Sequence, residues 1–233
     1  MPSTKIFNRM SKNSEEEKLE RILKEGLDSL WKKEKSEHQI IKGVYYPSYI
    51  GSCLRKQYYI YTVGESVTSE ELVIFMTGKG IHELVVKAFG EKVNVESIEA
   101  KINLEITNKI KLSGRVDIII ADLEGKKYLI EVKSASKIPD NPYESHVLQL
   151  HTYMQALNFN EGYLLYWNKR DGNIRVFKVI KNDEMMKKLY ERVVMLDYYI
   201  TIDSPPPPES YQEGKKWECK KCPYLNICNP GPL

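Results

Sequence analysis

Apolar residues recur at helical spacing in the first part of the chain and at alternate positions in its middle. Leu19, Ile22, Leu23, Leu27, Leu30 and Trp31 share one face of a 3.6-residue period behind Ser14-Glu15-Glu16-Glu17, a capping box. The pattern predicts an amphipathic helix to about Ser36 with that stripe buried. Pro47-Ser48 starts a second predicted helix, which runs through Cys53 and Arg55 to a tyrosine-rich stretch ending near Gly64. A third opens at Ser69 with Leu72, Phe75, Met76, Val85, Val86 and Phe89 as core positions and His82 on the same face. After Gly90 the period becomes two: Ile102, Leu104 and Ile106 alternate, and a turn falls near Asn108. Gly114–Ile120 and Tyr128–Lys133 then read as two arms of a hairpin. Beyond the prolines at 139 and 142 the pattern predicts a helix from about Ser145 to Leu157, a second hairpin from Tyr163 to Ile180, and a helix from about Asp183 to Ile200. Pro205–Pro208 is an extended spacer leading into a cysteine-rich tail. This order predicts an α/β fold, a mixed sheet flanked by helices. Three regions are expected: helical 1–64, a core over 65–203, and a tail over 204–233.

The central hairpin carries Asp117, Glu131 and Lys133 where a half-buried strand pair is otherwise apolar. Side chains alternate along a strand, so Glu131 and Lys133 share one face and Val132 takes the other. A three-residue loop, Leu123-Glu124-Gly125 with Gly125 in the left-handed region, would set Asp117 across from Glu131; a two-residue loop would set it across from Val132. Two carboxylates and a lysine on one cleft are what metal-assisted phosphodiester hydrolysis needs: acids to hold a hard cation, a cation to acidify water, a lysine to steady developing charge. The competing reading is a surface strand with solvated charges.

Composition narrows the setting. The 233 residues carry a net charge of only +3, so any nucleic-acid surface must be local, and clusters such as Arg55-Lys56 and Lys169-Arg170 are where it would lie. No stretch approaches the roughly 18 apolar residues that span a bilayer, and the polar start lacks a signal-peptide segment, so a cytoplasmic protein without a membrane partner is expected. In a reducing compartment the four cysteines favour metal ligation over disulfides. Tyr58, Tyr59 and Tyr61 could stack on unpaired bases or belong to the core. His82 on an apolar face is either a hydrogen-bonded core residue or a ligand.

Taken together, His82, Asp117, Glu131-Val132-Lys133 and Gln149…Tyr153 occur in an order that resembles the RecB-type branch of the PD-(D/E)xK nuclease superfamily. The resemblance implies a metal-dependent DNA nuclease with Asp117, Glu131 and Lys133 catalytic. It implies His82, Asp117, Glu131 and the Val132 carbonyl as ligands of Mn or Mg, and Gln149, Tyr153 and Arg55 as DNA-positioning groups. One imidazole in an oxygen-rich site tilts the expectation toward manganese. Cys53 far upstream, with Cys219-x2-Cys222-x5-Cys228 at the end, resembles the iron-staple nucleases, among them the CRISPR-associated RecB-like exonucleases. That likeness implies a 4Fe–4S cluster joining the two ends of the chain, with structural zinc as the competing occupant. It also implies DNA ends as substrate, prespacer processing in CRISPR adaptation as the role, and CRISPR integrase proteins as partners; the expectation of single-stranded DNA rests on base stacking by Tyr58, Tyr59 and Tyr61. Other readings are a standalone repair or virus-encoded nuclease and a non-catalytic DNA-binding adaptor.

Overall fold

The computed structural model describes residues 15–35, 40–65, 67 and 69–232. In chain order the elements are α1 (Glu15–Lys35), β1 (Val44–Tyr45), α2 (Leu54–Thr62), α3 (Ser69–Gly90), β2 (Asn94–Glu105), β3 (Lys111–Ala121), β4 (Lys127–Ala135), α4 (Glu144–Ala156), β5 (Glu161–Asn168), β6 (Ile174–Ile180) and α5 (Asp183–Thr201). Three short helices close the chain: α6 (Glu209–Gln212), α7 (Lys216–Lys220) and α8 (Leu225–Cys228). Among the described residues, α1 and the start of α3 to Phe75 form one compact unit, and those from 40 to 67 and from 76 onward form another.

The second unit is built on a six-stranded mixed sheet. β2, β3 and β4 run antiparallel in succession, as the alternation predicts. The β3–β4 turn is the odd-numbered one: Asp122 and Lys126 close it through a 3.0 Å backbone hydrogen bond, and Gly125 has φ +80°. Ile118 therefore faces Ile130 and Ile120 faces Tyr128; the ladder ends there, and Asp117, next in register toward Glu131, takes the Val132 amide on its side chain. β4 and β5 are parallel, joined by a crossover through α4.

The edges of β3 are unequal. β2 pairs along one edge from Lys111 to Ala121, whereas the other edge is divided between β1 at Lys111 and Leu112 and β4 from Ile118 to Ala121. Residues 113–117 face a fork in the sheet. Gly114 lies in it because the space is taken: a Cβ there would stand 3.0 Å from the Pro47 ring and 3.4 Å from Tyr153 Cε1.

Helices cover both faces. Val85 of α3 packs with Ile118, Ile120, Ile130, Val132 and Leu165, while Leu150, Tyr153 and Met154 of α4 pack with Leu129, Leu164 and Tyr166. A third cluster joins Leu189, Val193 and Leu196 of α5 to Leu54 and Tyr58 of α2. Asn182 caps α5, its side chain accepting from Met185 N at 2.9 Å.

Two sequence expectations need correction. The α1 stripe is not buried: Leu19, Ile22, Leu23 and Leu30 are 65%, 52%, 65% and 48% exposed, and Leu27 is half-buried. Amphipathic spacing shapes an apolar face but supplies nothing to cover it. Ser14 and the Trp31 side chain lie outside the described residues. Phe75, expected in the core, is likewise exposed, unlike Leu72 and Val85. Among the tyrosines, Tyr58 is core, Tyr61 accepts from Tyr46 N at 2.7 Å, and Tyr59 packs on Tyr224 with ring centroids 5.6 Å apart. They are spent on packing.

The tail is held by polar contacts. Arg192 of α5 pairs with Glu209 of α6 and donates to Ile50 O at 2.8 Å and Ser52 O at 2.7 Å; Glu209 also accepts from Leu54 N at 2.8 Å. Arg192 and Glu209 side chains are 15% and 25% exposed, so removing one strands a largely buried charge. Arg192→Met is expected to cost about 3 kcal/mol in urea unfolding, and Arg192→Met with Glu209→Met distinctly less. No described helix is long and apolar enough to cross a membrane.

Candidate active site

Asp117 stands where β3 and β4 part. Its Oδ2 accepts from Val132 N at 2.7 Å, taking the place of a strand carbonyl at the mouth of the fork. Its Oδ1 is 3.4 Å from Nδ1 of His82, which α3 delivers from one face of the sheet. Burial opposes protonation of His82, but the hydrogen bond and charge of Asp117, followed by Glu131, outweigh it and raise the pKa. Asp117 and His82 line a cavity of about 270 Å3 together with Lys79, Val86, Ile98 and Val132.

Glu131 is 2% exposed. Its Oε1 accepts from Lys133 Nζ at 2.9 Å and from Gln149 Nε2 at 2.7 Å, whereas its buried Oε2 has no hydrogen-bond partner. Burial first, and the Asp117 charge second, raise its pKa. Lys133 Nζ also donates to Gln149 Oε1 at 2.7 Å, and Gln149 Nε2 donates to the Tyr153 hydroxyl at 3.0 Å. Gln149 and Tyr153, four apart on α4, reach the site from the other face.

The fold thus brings together His82, Asp117, Glu131, Val132, Lys133, Gln149 and Tyr153. Lys133 is held by Glu131 itself, because a buried acid leaves a neighbouring ammonium no better partner. Arg55 is elsewhere: its Nε donates to Pro206 O at 2.5 Å and its Nη1 lies 3.2 Å from Cys228 O and 3.8 Å from Cys228 Sγ. Its Nε and Nη1 are engaged by the tail.

His146 was missed by sequence reasoning, although its spacing three before Gln149 puts both on one side of α4. Its Nδ1 is 2.7 Å from the Tyr166 hydroxyl. Burial first, then the charge of Lys133, pushes its pKa down to about 3. Between an unfolded value of about 6.5 and that figure the unfolded chain binds a proton the folded ring refuses, so stability falls as pH drops through this window. Thermal unfolding from pH 7 to pH 4 is expected to show a shallower acid-side loss in His146→Phe than in the parent.

Cys219 is buried, and Cys53, Cys222 and Cys228 are half-buried. Burial first, then the nearby charges of Cys53 and Cys228, raises the pKa of Cys219, and both also act on Cys222. Among the described residues no group of three or more His, Cys, Asp or Glu side chains is already arranged to hold a metal ion.

A curated relative, the CRISPR-associated exonuclease Cas4 of Saccharolobus solfataricus, is 25% identical over 152 residues, which span 64% of this chain and 66% of that protein, just under two thirds of its length. The crystal structure of SSO0001 superposes with a TM-score of 0.70 at 20% identity, covering 91% of this chain and 98% of that one, which is a likeness of fold. An alkaline exonuclease from Laribacter hongkongensis aligns at 13% identity with a TM-score of 0.49, over 76% of this chain and 95% of its own. The family match runs from residue 5 to residue 229 and takes in every residue of the fork, so the chain belongs to the PD-(D/E)XK nuclease superfamily.

Proposed function

We propose that this nuclease is a divalent-cation-dependent deoxyribonuclease acting at single-stranded DNA or DNA ends, with Asp117, Glu131 and Lys133 as its catalytic residues. The observation that carries this reading is the unpartnered, buried Oε2 of Glu131, close to a second carboxylate and an imidazole. A buried carboxylate oxygen without a donor is costly, and a cation offsets that cost where no N–H does. Asp117 Oδ1, Glu131 Oε2, a nitrogen of His82 and the Val132 carbonyl are the donors that would hold it; that set of oxygens with one imidazole suits Mn or Mg. The cation, when bound, would supply Lewis acidity and a water of lowered pKa.

The remaining steps belong to the chain. Glu131 and Gln149 hold the Lys133 ammonium in one place, so its charge meets the phosphate as negative charge builds. Gln149 in turn orients the Tyr153 hydroxyl, whose own proton remains available to a phosphate oxygen. The name of the curated relative, a CRISPR-associated exonuclease, supports a CRISPR setting; prespacer processing with integrase proteins as partners is the role we propose within it.

The four cysteines are assigned to one metal group, a 4Fe–4S cluster, that ties α2 to the tail. The electrostatic nearness of Cys53 and Cys228 to Cys219 and Cys222 supports a common site. Iron and zinc both accept four thiolates, and visible absorbance of protein prepared without oxygen separates them.

The test of the nuclease reading is digestion of end-labelled single-stranded and duplex DNA. EDTA should abolish cleavage and added Mn or Mg restore it. Lys133→Ala should lower the rate about 100-fold or more with little change in DNA affinity, since its task lies in the transition state. Cleavage that survives EDTA would refute the cation's role.

A further inference from the structure

A second cavity, of about 790 Å3, lies outside the acidic site and is bounded by Gly51 and Cys53 ahead of α2, by the first turn of α4, by α5 and by the tail. Three observations bear on what it takes. First, it is lined by two aromatic rings that the fold leaves open, Tyr143 at 50% and Trp217 at 62% exposure, from elements far apart in sequence. Second, its three cations are each paired, Lys188 with Glu144, Arg192 with Glu209 and Lys215 with Glu213, while a fourth carboxylate, Glu218, has only the Ser210 hydroxyl. Four carboxylates against three paired cations disfavour a phosphate and keep lone pairs for N–H donors. Third, α4 connects it to the catalytic group: His146, which lines the cavity and stands edge-on to Tyr143 at 5.5 Å, is one turn before Gln149 on the same helix.

The tautomer of that ring is coupled to the direction of its hydrogen bond with Tyr166. The Tyr166 hydroxyl accepts from Tyr143 N at 3.2 Å and contacts His146 Nδ1 at 2.7 Å. In the tautomer in which that hydroxyl donates to Nδ1, the ring hydrogen resides on Nε2 and His146 presents an uncharged N–H to the cavity.

We propose that this cavity is a nucleobase subsite of the nuclease, which takes one unpaired base of the substrate strand, stacks it on Tyr143 or Trp217, and meets its edge with His146 Nε2–H and the wall carboxylates. The volume lies within the range of sites that enclose a small organic ligand. Aromatic stacking accepts any base, while a wall with four carboxylates and three cations leaves phosphates outside. A paired base cannot enter, because its edge and faces are already engaged. The inference rests on the nuclease reading and adds to it a reason for preferring single-stranded ends.

The test is an abasic scan. Asp117→Asn protein, able to bind without cutting, is titrated with end-labelled single-stranded oligonucleotides that lack one base at successive positions. A single position should stand out with affinity lowered roughly five- to hundredfold. 2-Aminopurine placed there should be quenched on binding. Adding Tyr143→Ala or Trp217→Ala should erase the position dependence, and Trp217→Phe should restore it; two variants on separate elements guard against one that disturbs the tail. A flat profile in protein whose parent cuts DNA overturns the subsite alone, as does a sensitive position that persists in both alanine variants. A parent that neither binds nor cuts DNA overturns the nuclease reading and this subsite with it.

Discussion

Asp117→Asn protein is expected to keep its fold and lose metal-dependent cleavage by on the order of a thousandfold. The asparagine is more informative than alanine for a structural reason. Asp117 Oδ2 is the acceptor for Val132 N at the fork, and alanine would leave that amide unpaired at about 1–3 kcal/mol, mixing a stability loss with the loss of a ligand. An asparagine carbonyl can still accept from Val132 N while the charge that draws a cation and His82 is gone. Urea unfolding should therefore separate the two: near-parental stability for Asn, a lower midpoint for Ala, and no cleavage in either. Activity in Asp117→Asn within tenfold of the parent would remove Asp117 from the chemistry and with it the assignment of the fork as the active site.

Cys222→Ser is expected to fail differently. If four thiolates share one metal group, that group closes a loop from Cys53 to the tail that encloses the sheet, and breaking it relaxes the unfolded chain while discarding binding energy. A loss of about 3 kcal/mol would lower the melting temperature by roughly 6–12 °C in a domain of this size. The visible bands of thiolate-bound iron should vanish with it. The structure limits how far the tail then drifts: Arg192–Glu209, Arg55 on Pro206 O and the Tyr224 hydroxyl on Gly64 O at 2.6 Å still tie it to α2 and its flanks. Cleavage should accordingly fall with temperature rather than disappear at low temperature, in contrast to Asp117→Asn. A colourless parent, prepared without oxygen and carrying one zinc per chain, would replace iron while leaving the tie intact. A Cys222→Ser protein with unchanged colour and melting temperature would defeat the shared site.

Hydrolysis requires no electron transfer, so the cysteines and the acidic fork need not act on one another. The expected outcomes reflect that independence, since Asp117→Asn should keep the colour and Cys222→Ser should keep the fork residues.

Much of this protein was legible in its sequence because the signals are local. Period-two alternation sets β2 to β4 in succession, and the left-handed Gly125 makes the loop odd, which carries Asp117 to Glu131 within about 20 residues of chain. The four-residue spacing of Gln149 and Tyr153 likewise makes them neighbours on α4. What tertiary structure decided involves partners that periodicity cannot name. The fork exists because β1 takes part of an edge that β4 leaves, and the burial of Glu131, with one oxygen bonded and the other orphaned, depends on where α4 lands. Arg55 was expected on DNA and was instead taken by acceptors 151 and 173 residues away, because an arginine goes to whichever carbonyls the packing brings near. The α1 stripe shows the converse: spacing shaped an apolar face, and tertiary structure left it uncovered. Local pattern determines which side chains share a face; what that face meets is set by contacts between segments far apart in the chain.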